Sequence, residues 1–511
     1  MFVKCHAGAI VGINAVDVTV EVDVTGKGLG LYLVGLPDNA VKESEQRIRS
    51  AFNNTGRNMP AFKIVVNLAP ADLRKEGSGF DLPIAVGILA ATGQVLDTML
   101  SETMFVGELS LDGTIKSVRG VLPLAVMAKE QGLRRIVVSS ENASEAAVVD
   151  GIEVIAVERL GQVIGMLNGE LNFTPVTPSS APSDHLVEQP FAEDFADVRG
   201  QQHVKRALEI AAAGGHNVLM IGAPGSGKTM LARRLPTILP PMTLEEAVEC
   251  TKIHSVAGKL GTTAGLMTQR PFRAPHHLTS QVALVGGGQS PQPGEASLAH
   301  NGILFLDELP EFGRNVLEVL RQPLEDKFIT VSRAKYTVEY PANFTLVAAM
   351  NPCPCGFHNH PTKECSCMPS AIHRYFGRIS GPLLDRIDMH IEVSPVPISD
   401  MTSTKEEESS RTIRERVIRA RQRQEQRFEG TNIHSNSMMN SRMLRTFCAL
   451  EPSVRTLLER AMERLNLSAR AYDRIIKVAR TIADLEASEQ ITAAHIAEAI
   501  GYRSLDRNAH L

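Results

Sequence analysis

The octapeptide GAPGSGKT, Gly222 to Thr229, follows the apolar run NVLMI and leads into the helix-like stretch MLARRL. Strand, glycine-rich turn and helix in that order are what a phosphate-binding loop requires, and they commit this part of the chain to an α/β domain. Glycines let successive backbone N–H groups turn toward phosphate oxygens, so Gly222, Ala223, Pro224, Gly225, Ser226, Gly227, Lys228 and Thr229 are the candidate ATP-binding residues. Lys228 offers a point charge to the β- and γ-phosphates, and Thr229 a hydroxyl to Mg2+. Some 80 residues on, GILFLDEL is an apolar strand that ends in Asp307 and Glu308. Two acids at the end of a buried strand are costly unless cations meet them. Asp307 is expected to meet Mg2+, directly or through water, and Glu308 to orient and deprotonate the attacking water.

A chain of 511 residues is too long for one hydrophobic core, and about three domains are expected. Its 43% hydrophobic and 22% charged composition is that of an ordinary soluble protein. No run has the apolar length of a signal peptide or membrane helix, so a cytoplasmic protein without a membrane partner is expected. Seven cysteines, an odd number, argue against a disulfide framework. The net charge of −4 gives no global attraction to DNA, so any such binding must come from local basic patches or from an oligomer that gathers them.

Residues 1–172 alternate strand-like and helix-like stretches, among them VDVTVEVDV, FKIVVNLAP and RRIVVSS. Residues 173–190 are rich in Pro and Ser and read as a linker. The alternation resumes over 191–398, with a helix expected at 201–213 before the NVLMI strand. Residues 399–511 are mostly helix-like and read as a small helical lid.

VRGQ before the phosphate loop, LFLDE, FTLVAAMN and SGPLLDRID resemble an AAA+ ATPase of the magnesium-chelatase-like group. The order NLAPADLRKEGSGFDLPIA, AAGGHNVLMIG, RPFRAPHH, GEASLAHNGILFLDELPEF and SGPLLDRID is similar to that of the YifB/ComM family. The resemblance covers nearly the whole chain. It implies a P-loop AAA+ α/β core, a C-terminal helical lid of the magnesium-chelatase type, and a Lon-protease-like N-terminal α/β domain with the fold of ribosomal protein S5 domain 2. It also implies that Asn351 senses the γ-phosphate, that Arg386 is an arginine finger reaching a neighbouring subunit, and that Arg470 is the second sensor arginine of the lid. Both guanidinium forks suit transition-state phosphate charge, and a finger supplied in trans requires a ring. The role implied is a homo-oligomeric, hexameric motor that moves along branched or single-stranded DNA, or migrates its junctions, in transformation and recombination.

In similar ring ATPases, hairpin insertions project into the central pore and grip nucleic acid, and two candidate insertions are present here. GGGQSPQPGEASLAHNG has too much Gly and Pro for a helix, and KFITVSRAKYTVEYPA alternates around a basic turn, so two hairpins are expected. Arg333 and Lys335 at the tip of the second are the candidate DNA contacts. RPFRAPHH, residues 270–277, reads as another basic patch, with His276 and His277 as structural or pore-facing residues. A rival function is an ATP-dependent protease or chaperone of the Lon type. The serine nucleophile of such enzymes falls at or near Gly79, with Ser78 displaced by one, and the place of the lysine is taken by Pro123. Ser78 with Lys75 or Lys129 is the fallback, and no proteolysis is expected. A magnesium-chelatase subunit is a third reading, weakened by the lack of a D-x-S-x-S motif.

Four cysteines, Cys353, Cys355, Cys365 and Cys367, fall in AAMNPCPCGFHNHPTKECSCMP. Four thiolates close a tetrahedral Zn2+ site and leave no open catalytic position. His358 and His360 make six possible ligands for four places; free or redox-active thiols and an iron–sulfur cluster are the alternatives. A structural zinc would brace the loop between Asn351 and the segment carrying Arg386. On that reading, replacing Cys353 and Cys355 harms assembly or activation in trans more than nucleotide binding.

Overall fold

A computed structural model of the chain describes residues 1–25, 28–177, 191–261, 265–288, 290–333, 336–401, 406–465 and 467–503. Most of the expected linker (178–190) and Lys335 lie outside the described residues. The chain divides into two compact units, one of residues 1–187 with 243–268 and one of residues 188–242 with 269–511.

In the first unit, strands β1 (Phe2–Val11), β2 (Asn14–Thr25), β3 (Gly30–Val34), β4 (Lys63–Ala69), β5 (Thr103–Phe105), β6 (Arg135–Ser139) and β7 (Glu153–Val157) form one sheet in the order β3-β4-β2-β1-β5-β6-β7. The period-two alternation of VDVTVEVDV is realised in β2, where Val18, Val20 and Val22 are fully buried and the residues between them are partly exposed. The helix Asp81–Ala91 is buried along its whole length, as its continuous apolar sequence requires. The capped helix Leu244–Val256 packs on the helix Val121–Glu130 of this unit, although by sequence it falls within the expected ATPase core. Glu145 ties it there, accepting hydrogen bonds from Ser255 Oγ and from the Leu122 amide at 2.8 Å.

The second unit is built on β8 (Val218–Ile221), β9 (Phe272–Arg273), β10 (Ile303–Leu306), β13 (Thr345–Met350) and β14 (Met389–Glu392), all parallel, in the order β9-β10-β13-β8-β14. Every residue of β8 and β10 is buried, which is why both read as unbroken apolar runs. The helices Gln202–Gly214, Ser410–Arg427 and Ala469–Leu485 pack on one another within this unit. The basic insertion is a hairpin of β11 (Phe328–Arg333) and β12 (Tyr336–Pro341), with Arg333 opposite Tyr336. The first insertion opens as the expected hairpin, Gly286–Gly287 pairing antiparallel with Gln292–Pro293, but Glu295–Leu298 after it is a helical turn where Gly and Pro content suggests no helix. Glu295 in that turn accepts from Arg273 with both carboxylate oxygens, at 2.6 and 2.9 Å.

At the amino ends of β8 and β14 lies a buried polar knot. Asp388 accepts the Asn217 amide at 2.9 Å and an Arg474 guanidinium N–H. Burial opposes its charge, yet Arg474 and His216 hold the carboxyl well below the usual carboxylate range. Nearby, His390 is buried with neither ring nitrogen paired among the described residues, and burial together with the Arg503 guanidinium holds its pKa well below the ordinary value. A group with a depressed folded-state pKa contributes stability that is complete above its unfolded pKa and lost as pH falls. Unfolding free energy of this unit should therefore decline below about pH 6.5, by up to about 1.4 kcal/mol per pH unit for this one histidine. His390→Leu should flatten that slope in urea titrations between pH 7.5 and 5.5; an unchanged slope would show that the ring is not buried neutral.

Candidate active site

Strand β8 delivers the phosphate loop from its carboxyl end. Gly222 has no room for a side chain, since a Cβ there would lie 2.3 Å from the Val393 carbonyl oxygen. Gly225 and Gly227 have φ of +78° and +92°, conformations that glycine alone adopts without strain. The Lys228 ammonium is buried and donates to the Gly222 and Ala223 carbonyls at 2.7 and 3.0 Å and to Asn351 Oδ1 at 3.2 Å. Burial lowers its pKa, and the nearby Asp307 and Glu308 oppose that shift. Gln201, from VRGQ, props the loop by donating to the Ser226 carbonyl at 2.9 Å and to the Ser394 carbonyl at 3.0 Å.

Strand β13 lies between β10 and β8, so Asn351, one residue beyond it, stands between the acids and the phosphate loop. Thr229 Oγ1 donates to Asp307 Oδ2 at 2.7 Å, which puts the two expected Mg2+ ligands side by side. Glu308 adopts the left-handed region (φ 53°, ψ 47°), and its carboxylate lies 3.3 Å from His277 Nδ1. The fit to a magnesium-bound nucleoside triphosphate is supported by what the loop leaves unused. Ser226 Oγ is buried without a partner among the described residues, beside a buried cation with only neutral acceptors of its own. When bound, Mg2+ supplies charge neutralisation to the transferring phosphoryl group.

A family described as "Magnesium chelatase, subunit ChlI" matches residues 194–401, and "Magnesium chelatase, subunit ChlI C-terminal" matches 407–503. "Subunit ChlI of Mg-chelatase" matches 20–142. The competence protein ComM of Haemophilus influenzae is 46% identical over 504 residues, 98% of this chain and 97% of that protein. YifB of Escherichia coli is 45% identical with the same coverage. The chain belongs to the YifB/ComM family of magnesium-chelatase-like AAA+ ATPases. The 38 kDa magnesium-chelatase subunit of Cereibacter sphaeroides is more distant, 26% identical over 32% of this chain and 54% of that protein.

Not all the residues expected at the YifB/ComM site gather there. Lys228, Thr229, Asp307, Glu308 and Asn351 do, whereas Arg386 and Arg470 stand at the other end of the sheet. Asn217 Nδ2 donates to the Arg386 carbonyl at 3.0 Å, and Asn217 precedes β8 while Gly222 follows it. Five residues of extended chain, roughly 16 Å, separate those two points. Arg470 pairs with Asp385 at 3.3 Å, and Arg386, almost wholly buried, pairs with Glu325 at 2.5 Å while its Nε has no partner among the described residues. With Arg474 and Lys477 these arginines line a cleft of about 160 Å³ that also carries Glu325, Asp385 and Asp473.

RPFRAPHH is a correction to the sequence reading. Arg270 donates to the carbonyls of Pro240, Pro241 and Asn301, and Arg273 is held by Glu295, so neither belongs to a free basic patch. His277, expected to be structural or pore-facing, faces Glu308, with its ring 4.1 Å from that of His276 and edge-on to Phe312. The fallback protease dyad is not assembled either. Ser78 Oγ donates to Glu108, the buried Lys75 ammonium donates to the Pro70 carbonyl, and Lys129 is exposed at the end of its helix. The four cysteines do gather, with all four sulfurs within 4.8 Å of one another. His360 is outside the cluster, its Nδ1 accepting the Thr362 and Lys363 amides at 3.2 and 3.1 Å. Of the candidate DNA contacts, Arg333 ends β11 and Lys335 is outside the described residues.

Proposed function

We propose that this ATPase works as a homo-oligomeric ring, hexameric by resemblance to related AAA+ machines, that uses ATP to drive branch migration of DNA. The observation that carries the ring is the separation of Lys228 from Arg386 and Arg470 across the length of β8. A chain built this way has a phosphate site at one end of its sheet and a cluster of arginines at the other, and the two halves meet when one copy follows another. Arg386 and Arg470 would then stabilise transition-state charge on a neighbour's nucleotide, while Lys228, Asn351 and Glu308 act on the chain's own. The β11–β12 hairpin, with Arg333 at its end, is the proposed grip on the DNA backbone, repeated around the ring. The printed name of the Haemophilus influenzae relative, a competence protein, supports a role in processing incoming DNA. Cys353, Cys355, Cys365 and Cys367 are proposed to hold a structural Zn2+.

The test is ATP hydrolysis by wild type and Lys228→Ala with single-stranded, duplex and four-way-junction DNA, together with junction unwinding. Wild type should be stimulated several-fold by branched or single-stranded DNA and should resolve the junction only with Mg-ATP; Lys228→Ala should do neither. A DNA-independent ATPase that leaves junctions intact would dismiss the DNA motor.

A further inference from the structure

We infer that the metal centre formed by the four cysteines supports the phosphate loop directly, so that nucleotide affinity depends on whether the centre is loaded. This rests on the zinc reading above and adds to it a coupling between two sites.

The cluster has the dimensions of a closed tetrahedral site. Cys353 Sγ lies 3.3 Å from Cys355 Sγ and 3.7 Å from Cys365 Sγ, and Cys355 Sγ lies 3.6 Å from Cys365 Sγ. Four Zn–S bonds of about 2.3 Å in a tetrahedron demand edges of about 3.8 Å, so little movement separates these thiols from ligation. Two backbone amides already point at sulfur, Cys355 N–H toward Cys367 at 3.4 Å and His358 N–H toward Cys353 at 3.3 Å. Such donors fix the orientation of the sulfurs that a metal would take.

The loop has little else to hold it. Between Asn351 and Pro369 only Cys353 and Gly356 are buried, and Met368 is largely exposed. Without apolar burial, ordering nineteen residues needs another source of free energy, which metal ligation supplies.

What this loop touches is the phosphate loop. Gly356, next to Cys355, has φ of +84°, and a Cβ at that position would lie 2.5 Å from Pro224 Cδ and 2.7 Å from its Cγ. The backbone of the cysteine loop is thus pressed against the proline of GAPGSGKT at a distance only glycine permits. The same loop begins directly after Asn351, whose Oδ1 takes the Lys228 ammonium. Losing the metal frees both contacts at once, and the phosphate loop loses its outer wall. This replaces the expected brace toward Arg386 with one toward nucleotide binding.

The test uses the full chain purified under reducing conditions. Bound zinc is measured by atomic emission, and the affinity for N-methylanthraniloyl-ATP in Mg2+ buffer is measured before chelation, after chelation and desalting, and after zinc is restored. The expected result is about one zinc per chain, an affinity about tenfold or more weaker after removal, and recovery on restoration. Gly356→Ala is the second arm, because the cysteine variants can simply misfold. It should retain its zinc and still bind nucleotide about tenfold more weakly. A chain that carries zinc but binds nucleotide equally well without it, or a Gly356→Ala chain with full affinity, overturns the coupling and leaves the zinc reading standing. A chain that carries no zinc overturns both.

Discussion

Mixing Lys228→Ala protomers with Arg386→Ala protomers should restore ATP hydrolysis that neither variant shows alone. Lys228→Ala removes the buried cation from the phosphate loop, and Arg386→Ala removes the proposed finger, a group of a kind worth about 10³ to 10⁵ in rate. If Arg386 serves the next copy's nucleotide, an Arg386→Ala chain keeps an intact Lys228 site that a Lys228→Ala neighbour can complete. Random mixing at equal amounts makes about one interface in four productive, so about a quarter of the wild-type rate is expected. The same experiment with Arg470→Ala separates two roles for that arginine. Acting in trans it also complements Lys228→Ala; acting on its own chain's nucleotide it gives no recovery at any ratio. The pairing of Arg470 with Asp385, on the Asn217 side of β8, argues for the first outcome. Arg386 adds a condition of its own. Its guanidinium is bound to Glu325 and to the Pro382 carbonyl, so the proposed finger role requires it to exchange the Glu325 carboxylate for phosphate when a neighbour docks. Glu325→Gln should ease that exchange and shift the assembly midpoint to lower protein concentration.

The parts of this site that were legible in the sequence are those set by local geometry. GAPGSGKT and LFLDE specify backbone turns and strand ends within a few residues, and Asn351 is pointed to by the family resemblance of FTLVAAMN. The cysteine cluster was equally plain, because C-x-C pairs bring ligands together whatever surrounds them. What sequence could not supply was which end of the sheet each remaining residue occupies. Arg386 and Asn351 are both polar residues near strand ends, but Asn351 follows the carboxyl end of β13 beside the phosphate loop, while the segment carrying Arg386 leads into the amino end of β14. RPFRAPHH misled for a related reason. Its charge looked like a surface patch until the pairing of Arg273 with Glu295 and of Arg270 with three carbonyls used it up. The helix Leu244–Val256 has a good capping box and no signal for the unit on which it packs; its place is made by tertiary contacts, packing on Val121–Glu130 and donating from Ser255 Oγ to Glu145, and not by propensity.

His277 is the residue whose part in catalysis depends most on that missing information. Strand β9 pairs with β10 through Phe272 and Arg273, so the chain that follows β9 leaves the sheet at the end where Asp307 and Glu308 stand. His277 thereby reaches Glu308, which is held in the left-handed region that a non-glycine residue occupies only at a cost of about 1–3 kcal/mol. The Glu308 carboxylate is otherwise more than half exposed, and the imidazole is its one close ion-pairing partner among the described residues. Glu308→Gln should leave nucleotide affinity intact and lower kcat by about 10² to 10⁴, because the amide still fits but cannot take a proton from water. His277→Ala should lower kcat by about tenfold at unchanged affinity, since it removes orientation and not the base itself. The decisive comparison is the double variant. If His277 acts through Glu308, then His277→Ala adds nothing in the Glu308→Gln background, and His277→Gln, which keeps a donor near the carboxylate, restores part of the single-variant loss. Additive effects of the two substitutions would instead mean that the histidine pair supports the fold around Phe312 and has no hand in positioning Glu308 as the base.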